Sequence, residues 1–381
     1  MLFLNNDDVQ KVLTMKDCIR VLEEGQIEAA RGELAARPRI DTIAPTRVPE
    51  RFYRWGTMEG TSKALQTHAI RMKSDVVYWP KTEGRIVEEK FAGRPGLFCG
   101  LVFLFDTSTG EPLALMQEGY LQHLRVGGRN AIGVKHLARK DAHMVGMLGS
   151  GGMARSHLMA FCAVRPVDRV TVYSPTKEHR EAYADEMETA LEIRVEPVSS
   201  AREAVAGADI VSTCTNSMDH ILFGDMLEPG MHITSVGQEL ADDVPPRIDV
   251  TLGGDGRART FRGQPIPAIP DGGGAAVVYA AANDEELQQV EEAAGMRYTQ
   301  KGHPPERLKA RSVSLGDLIA GAPGRLSDAE ISSSSGIRGG GGGGSQGIAF
   351  VTVGRLVYDL AREKGLGMEL PTELFLQDIR D

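Results

Sequence analysis

Cysteine and tryptophan are scarce in this sequence, with four and two copies among 381 residues, and aromatic residues amount to only 6%. Cys18, Cys99, Cys162 and Cys214 stand far apart in apolar contexts. That spacing excludes a disulfide framework and a zinc knuckle, so no metal is expected and the thiols should be free and buried. Long apolar runs are missing too. No window approaches the ~20 apolar residues of a spanning helix, and the opening MLFLNNDDVQKVL lacks the basic flank of a secretory leader, so the cytoplasm is expected rather than a membrane. Positive charge is in deficit: 43 Lys and Arg against 52 Asp and Glu give a net charge of −9. This speaks against a nucleic-acid surface, though basic residues can still gather inside a site. What is present, 41% hydrophobic and 25% charged residues, is the composition of an ordinary globular protein long enough for two domains.

The most informative stretch is Met144 to Ala154, MVGMLGSGGMA. Met144 to Leu148 reads as a buried strand, Gly149 and Gly151 permit a sharp turn, and the next residues open a helix whose free N–H groups can receive a pyrophosphate. Gly149, Ser150, Gly151, Gly152 and Met153 are therefore candidate dinucleotide contacts, joined by Thr213 at the end of a later apolar run. In sites that prefer NAD, the second strand ends in an Asp or Glu that binds the adenosine ribose. Here VTVYSPTKEHR puts Ser174 at that place, and Ser174, Thr176 and Lys177 can donate to a 2′-phosphate, with Arg180 one turn on. NADP(H) is favoured, with NAD(H) as the alternative.

Taken in order, Val9, Val12, Leu13, Cys18, Ile19 and Leu22 recur at helical spacing, so the chain opens on helix, a break near Met15, and helix again towards Gly32. Ala35 to Pro49, interrupted by Pro38, Pro45 and Pro49, reads as loops and edge strand. In AIRMKSDVV, Ala69, Arg71, Lys73 and Asp75 share one strand face, which on general grounds is a solvated face. Leu101–Phe105 and Leu113–Met116 form a hairpin across DTSTGEP, and a long helix from Leu121 to Leu137 leads into the Met144 strand. Beyond it, strands at Arg169–Tyr173, Ile193–Val195, Ile210–Thr213 and His232–Val236 alternate with helices such as Lys177–Ala190, which implies a parallel sheet with right-handed crossovers. Gly253 to Gly274 reads as connecting structure, Glu285 to Ala294 as an acidic helix, and Ser312 to Ile319 as a strand or turn. The low-complexity run Ser332 to Gly347 reads as a mobile loop. A last helix through Phe350, Val353, Leu356, Val357 and Leu360 ends near Gly365 and Gly367, and its apolar face suits packing on the N-terminal domain.

The stretch from Phe103 to Ala154 resembles the ornithine cyclodeaminase and mu-crystallin family, which also includes ketimine and imine reductases and some alanine dehydrogenases. ARPRIDTIAP, AIRMKSDVV, LEPGMHITSVG, APGRLSDAEI and VYDLAREKGLG extend the resemblance over nearly the whole chain. It implies an α/β protein with a Rossmann-type NAD(P)-binding domain over 126–332 and a discontinuous substrate-binding and dimerisation domain over 1–125 with 333–381, assembled as a homodimer. Lys73 resembles the family lysine at the substrate, Arg125 the arginine of its LR[ST] segment, and Arg39 an N-terminal arginine that helps hold the substrate carboxylate. A guanidinium fork pairs with a carboxylate bidentately, and a lysine adds a point charge that can hydrogen-bond an imine or carbonyl. By register Glu239 takes the place of the aspartate that serves proton transfer in cyclodeaminases. Val126, Gln117 and Glu118 depart from the pattern, and the glycines 339–344 look inserted. The implied activity is ring-forming deamination of ornithine to proline and ammonia, or a related hydride transfer on a small α-amino or α-imino acid. The alternatives are an NADPH-dependent imine reductase or amino-acid dehydrogenase, and a non-catalytic NADP(H)-binding protein.

Overall fold

The computed structural model describes residues 1–37, 39–82, 84–237, 239–253, 278–295, 310–334 and 345–379. The connecting segment expected beyond Gly253 and the glycine run 339–344 lie outside them. Among the described residues, no helix is long and apolar enough to cross a membrane.

Two sheets organise the α/β fold. The second is all parallel, in the order Arg194–Pro197, Arg169–Tyr173, Met144–Leu148, Ile210–Thr213, His232–Ser235, Ser332–Ser333, Val250–Gly253, Arg311–Ser314. The chain runs outward from the Met144 strand in one direction and then returns to its other side. The crevice between the carboxyl ends of the Met144 and Ile210 strands is therefore the switch point at which such sheets bind ligands. Continuous burial of Val145–Leu148, Val170–Val172 and Ile210–Thr213 reflects helices on both faces.

The first sheet is mixed and has ten strands, with Ile40–Pro45, Phe52–Ser62, Thr67–Tyr78, Cys99–Asp106 and Pro112–Gln117 as consecutive neighbours. Ile40–Pro45 is not its edge: Val278–Ala280 pairs outside it, in parallel, and Pro45 merely closes the strand. The long Phe52–Ser62 strand was not anticipated, although FYRWGTMEGTS alternates in burial with period two. The helix Ser345–Glu363 packs on one face of this sheet across the Phe52–Ser62 and Thr67–Tyr78 strands, and the helices Met15–Ala30 and Gly119–Leu137 pack against that helix and against each other.

Two further expectations change. Ser332–Ser333 is a buried strand rather than loop, because small serines fit between neighbouring strands and the hydroxyls of Ser332 and the following Ser334 find partners. Ser332 and Ser334 bond the ring of the buried His232, at 2.8 and 3.0 Å. Ser345 to Gly347 belong to the last helix. All four cysteines are free, but only Cys18 and Cys214 are fully buried; Cys99 and Cys162 are half-buried.

Candidate active site

The Thr67–Tyr78 strand reverses the solvation expected from its pattern. Ala69, Arg71, Lys73, Asp75 and Val77 are buried, whereas Ile70, Met72, Ser74 and Val76 on the other face are half-buried. Charges on an inward strand face need partners, and neighbouring strands and helices supply them. From Ile40–Pro45, the Asp41 carboxylate accepts bonds from Arg39 Nε and Nη2 at 2.7 and 2.5 Å and lies 3.1 Å from Lys73 Nζ. From Phe52–Ser62, Arg54 clasps both oxygens of Asp75 at 3.0 Å and reaches Glu88 at 3.5 Å. At the start of the bridging helix Gly119–Leu137, its N-cap Glu118 forms a buried bidentate pair with Arg71. Glu118 fits because Gly100 stands opposite Lys73 on the adjoining strand, where any Cβ would strike the Glu118 side chain.

Two cations complete the cluster without a carboxylate partner among the described residues. Arg125 donates twice to the neutral Gln122 Oε1, at 3.0 and 2.7 Å, and stacks 4.8 Å from the centre of the Phe350 ring. Lys90 lies 5.3 Å from the Phe98 ring centre. Burial pushes Arg125 down to about 9, with the nearby Arg71 charge acting in the same direction, and it stays protonated at neutral pH. Burial, then Arg54 and Arg39, hold Lys73 well below its usual value against the pull of Asp41 and Asp75. Burial alone would raise Asp41 and Asp75, but the bonds and charges of Arg39, Arg54 and Lys73 prevail and hold both low.

The glycine turn follows the Met144 strand. Gly149 has φ +115°, and a Cβ there would collide with the Cys214 carbonyl, so only glycine fits. The space beside Gly151 is open, the helix Gly152–Cys162 has no side-chain cap, and Thr213 Oγ1 is buried without a hydrogen-bond partner among the described residues. Uncapped N–H groups, an open cradle and an orphaned hydroxyl fit a dinucleotide. Gly149, Ser150, Gly151, Gly152, Met153 and Thr213 would line it. At the end of the second strand Ser174 is buried, and its carbonyl accepts a bond from Arg180 at 2.9 Å. Thr176 is the N-cap of the next helix without a side-chain bond, and Lys177 pairs loosely with Glu181 at 3.7 Å.

The cation cluster and the glycine turn meet. His123, one turn into the helix that carries Arg125, lays its ring 3.0 Å from where a Cβ on Gly152 would stand. Segment Ile86–Glu89, which carries the Arg54 partner Glu88, bonds to Asn216 and Met218 beyond the Ile210 strand. Lys73, Arg39 and Arg125 thus share one cluster. Glu239 lies on the nucleotide side: its fully buried carboxylate accepts from Thr215 N–H at 3.0 Å and from the Thr215 and Ser235 hydroxyls at 3.2 Å. The Thr215 methyl in turn stands 3.2 Å from the position of a Cβ on Gly149. Asp41, Arg54, Asp75, Lys90, Gln122 and Phe350 were not singled out from sequence; strand alternation in 52–62 could have flagged Arg54, whereas the others are revealed by packing.

The family model "Ornithine cyclodeaminase/mu-crystallin family" matches residues 1–337. A Delta(1)-pyrroline-2-carboxylate reductase of Bacillus cereus is 36% identical over 138 residues, 36% of this chain and 42% of that protein. An ornithine cyclodeaminase of Agrobacterium fabrum is 32% identical over 154 residues, 40% of this chain and 43% of that protein. The chain thus matches less than half the length of these curated relatives. Among solved structures, the Delta(1)-pyrroline-2-carboxylate reductase of Thermococcus litoralis, in complex with NADH and L-proline, superposes with a TM-score of 0.70 at 24% identity, over 97% of this chain and 100% of that one. That likeness shows the fold.

Proposed function

Since the chain belongs to the ornithine cyclodeaminase/mu-crystallin family, we propose that it is an NAD(P)-dependent enzyme working at Cα of a small α-amino or α-imino acid, by cyclodeamination or a related hydride transfer. The observation that carries this is Arg125, a buried guanidinium that is charged at neutral pH and bonded to a neutral amide. A cation kept in that state costs stability unless an anion completes the site, and a substrate α-carboxylate does so bidentately.

In this reading Arg125 and Arg39 hold the carboxylate and Lys73 donates to the nitrogen or carbonyl substituent at Cα. Asp41, shared by Arg39 and Lys73, fixes their spacing. The bound nicotinamide supplies hydride acceptance or donation at Cα. Burial of Lys73, Arg125 and Glu118 excludes water from the reacting centre. Glu239 serves as the proton donor and acceptor, oriented by Thr215 and Ser235, and its tie to the glycine turn through Thr215 supports that role.

NADP(H) is the preferred cofactor: Ser174, Thr176, Lys177 and Arg180 offer donors at the end of the second strand where a carboxylate would repel a 2′-phosphate. Residues 126–332 form the nucleotide-binding domain, except that the strand Val278–Ala280 and the helix Asp284–Ala294 join the first sheet, and 1–125 with 333–381 form the other, which pairs two chains through the half-buried face of Ile70, Met72, Leu101, Phe103 and Phe105. Four free thiols suit a reducing compartment such as the cytoplasm, which cell fractionation checks.

The test is a panel of amino and imino acids, ornithine and proline-type imines included, with each nicotinamide cofactor in turn. Ammonia without net cofactor change identifies ring-forming deamination; net cofactor turnover identifies a reductase or dehydrogenase. Neither with any substrate refutes the enzyme reading, and a lower KM for NAD(H) than for NADP(H) refutes the cofactor preference.

A further inference from the structure

Six cations surround the candidate site: Arg39, Arg54, Arg71, Lys73, Lys90 and Arg125. The carboxylates paired with them are Asp41, Asp75, Glu88 and Glu118, so among these ten groups positive charge is in excess by two. Four of the cations are held in ion pairs, leaving Arg125 and Lys90. Building on the α-amino or α-imino acid reading above, we infer that the substrate carries a second, distal carboxylate, and that Lys90 is the residue that receives it.

Lys90 is directed at this site by register. It pairs across the sheet with Val77 on the Thr67–Tyr78 strand, and directly opposed residues of antiparallel strands project to one face. That is the face of Arg71, Lys73 and Asp75. Arg71 stands between the two cations: its guanidinium lies 5.8 Å from the Phe350 ring that carries Arg125 and 6.0 Å from the Phe98 ring that carries Lys90. Lys90 forms no ion pair or hydrogen bond among the described residues, and its surface, like that of Phe98 at 41%, is open to solvent. Packing by protein atoms, followed by the Arg54 charge, lowers its pKa against the pull of Glu88 and Asp75. A lysine that is reachable by solvent and projects to the face of Arg71 and Lys73 stands at the rim of the cluster. A diamine is the poorer fit there, since Glu88 and Asp75, the acids whose charges act on Lys90, are already held by Arg54. A dicarboxylic α-amino or α-imino acid offsets both unmatched charges.

Isosteric pairs differing only in that charge test the inference: L-aspartate against L-asparagine, and L-glutamate against L-glutamine. Binding to the full chain is measured by calorimetry with and without NADP+. In at least one pair the acid is expected to bind roughly tenfold more tightly than its amide, the worth of one charged hydrogen bond. Lys90→Met should bring that ratio to about one, and Lys90→Arg, which keeps the charge, should restore it. Equal binding of acid and amide by the native protein, including no measurable binding of either, overturns the inference, as does a ratio that survives in Lys90→Met. The outcome is separable from the enzyme reading, which rests on turnover: a subsite that discriminates acid from amide without turnover leaves this inference standing and sinks that reading.

Discussion

Gly100→Ala is a one-methyl change whose cost the geometry sets through a residue far along the chain. The new Cβ would overlap the Glu118 side chain, with Cγ 2.5 Å away. Glu118 is 1% exposed and pinned by two bonds to Arg71, so it cannot swing aside without parting a buried ion pair. Separating such a pair costs about 3–5 kcal/mol, whereas shifting the strand to relieve overpacking costs about 1–3 kcal/mol. The cheaper route wins, so a loss of roughly 1–3 kcal/mol is expected. In a Glu118→Ala background the obstacle is gone, and alanine in place of glycine within a strand should be neutral or favourable by about 0.5–1 kcal/mol. The two substitutions should therefore be coupled by roughly 1–4 kcal/mol. Trp55 and Trp79, the only tryptophans of the chain, belong to or adjoin this sheet, so fluorescence-monitored urea unfolding of the four proteins reads the relevant transition. Additivity within about 0.5 kcal/mol, the margin for independent sites, would refute the reasoning.

Gly149→Ala forces a residue with a Cβ to φ +115° against the Cys214 carbonyl, strain worth about 1–3 kcal/mol, so NAD(P)H affinity by nicotinamide fluorescence should fall roughly tenfold or more; an unchanged Kd contradicts the assigned cradle. Asp41 and Asp75 titrate lower folded than unfolded, so the stability they contribute is complete above their ordinary value of 3.8 and is lost as pH falls towards their folded values. The urea midpoint should drop below about pH 4 with a shallower slope in Asp41→Asn, and parallel curves would show that the pair has no such role. Phe103→Glu, on the half-buried face of the first sheet, should halve the mass seen by light scattering, and a native protein that is already monomeric at micromolar concentration removes the dimer proposal.

Much of the fold could be read from local pattern. The buried runs at Met144–Leu148 and Ile210–Thr213, the glycine turn, the bridging helix to Leu137 and the last helix are short-range signals, and the parallel order follows from strands alternating with helices. Two errors share one cause. Ser332, Ser334 and the charged face of the Arg71–Asp75 strand look hydrophilic, so composition sends them to water, but polarity in a sequence does not reveal whether partners wait across a gap.

The sequence alone determined the nucleotide-type fold and its glycine turn, and through family resemblance it pointed to Arg39, Lys73 and Arg125 as the group proposed to hold a carboxylate. Only the tertiary structure decided how those charges are shared. Asp41 joins Arg39 to Lys73, Asp75 takes Arg54, and Glu118 reaches from the N-terminus of a helix to Arg71, forty-seven positions earlier. Which cation keeps a vacant valence depends on these long-range pairings, because attraction between charges follows distance in space and is indifferent to distance along the chain.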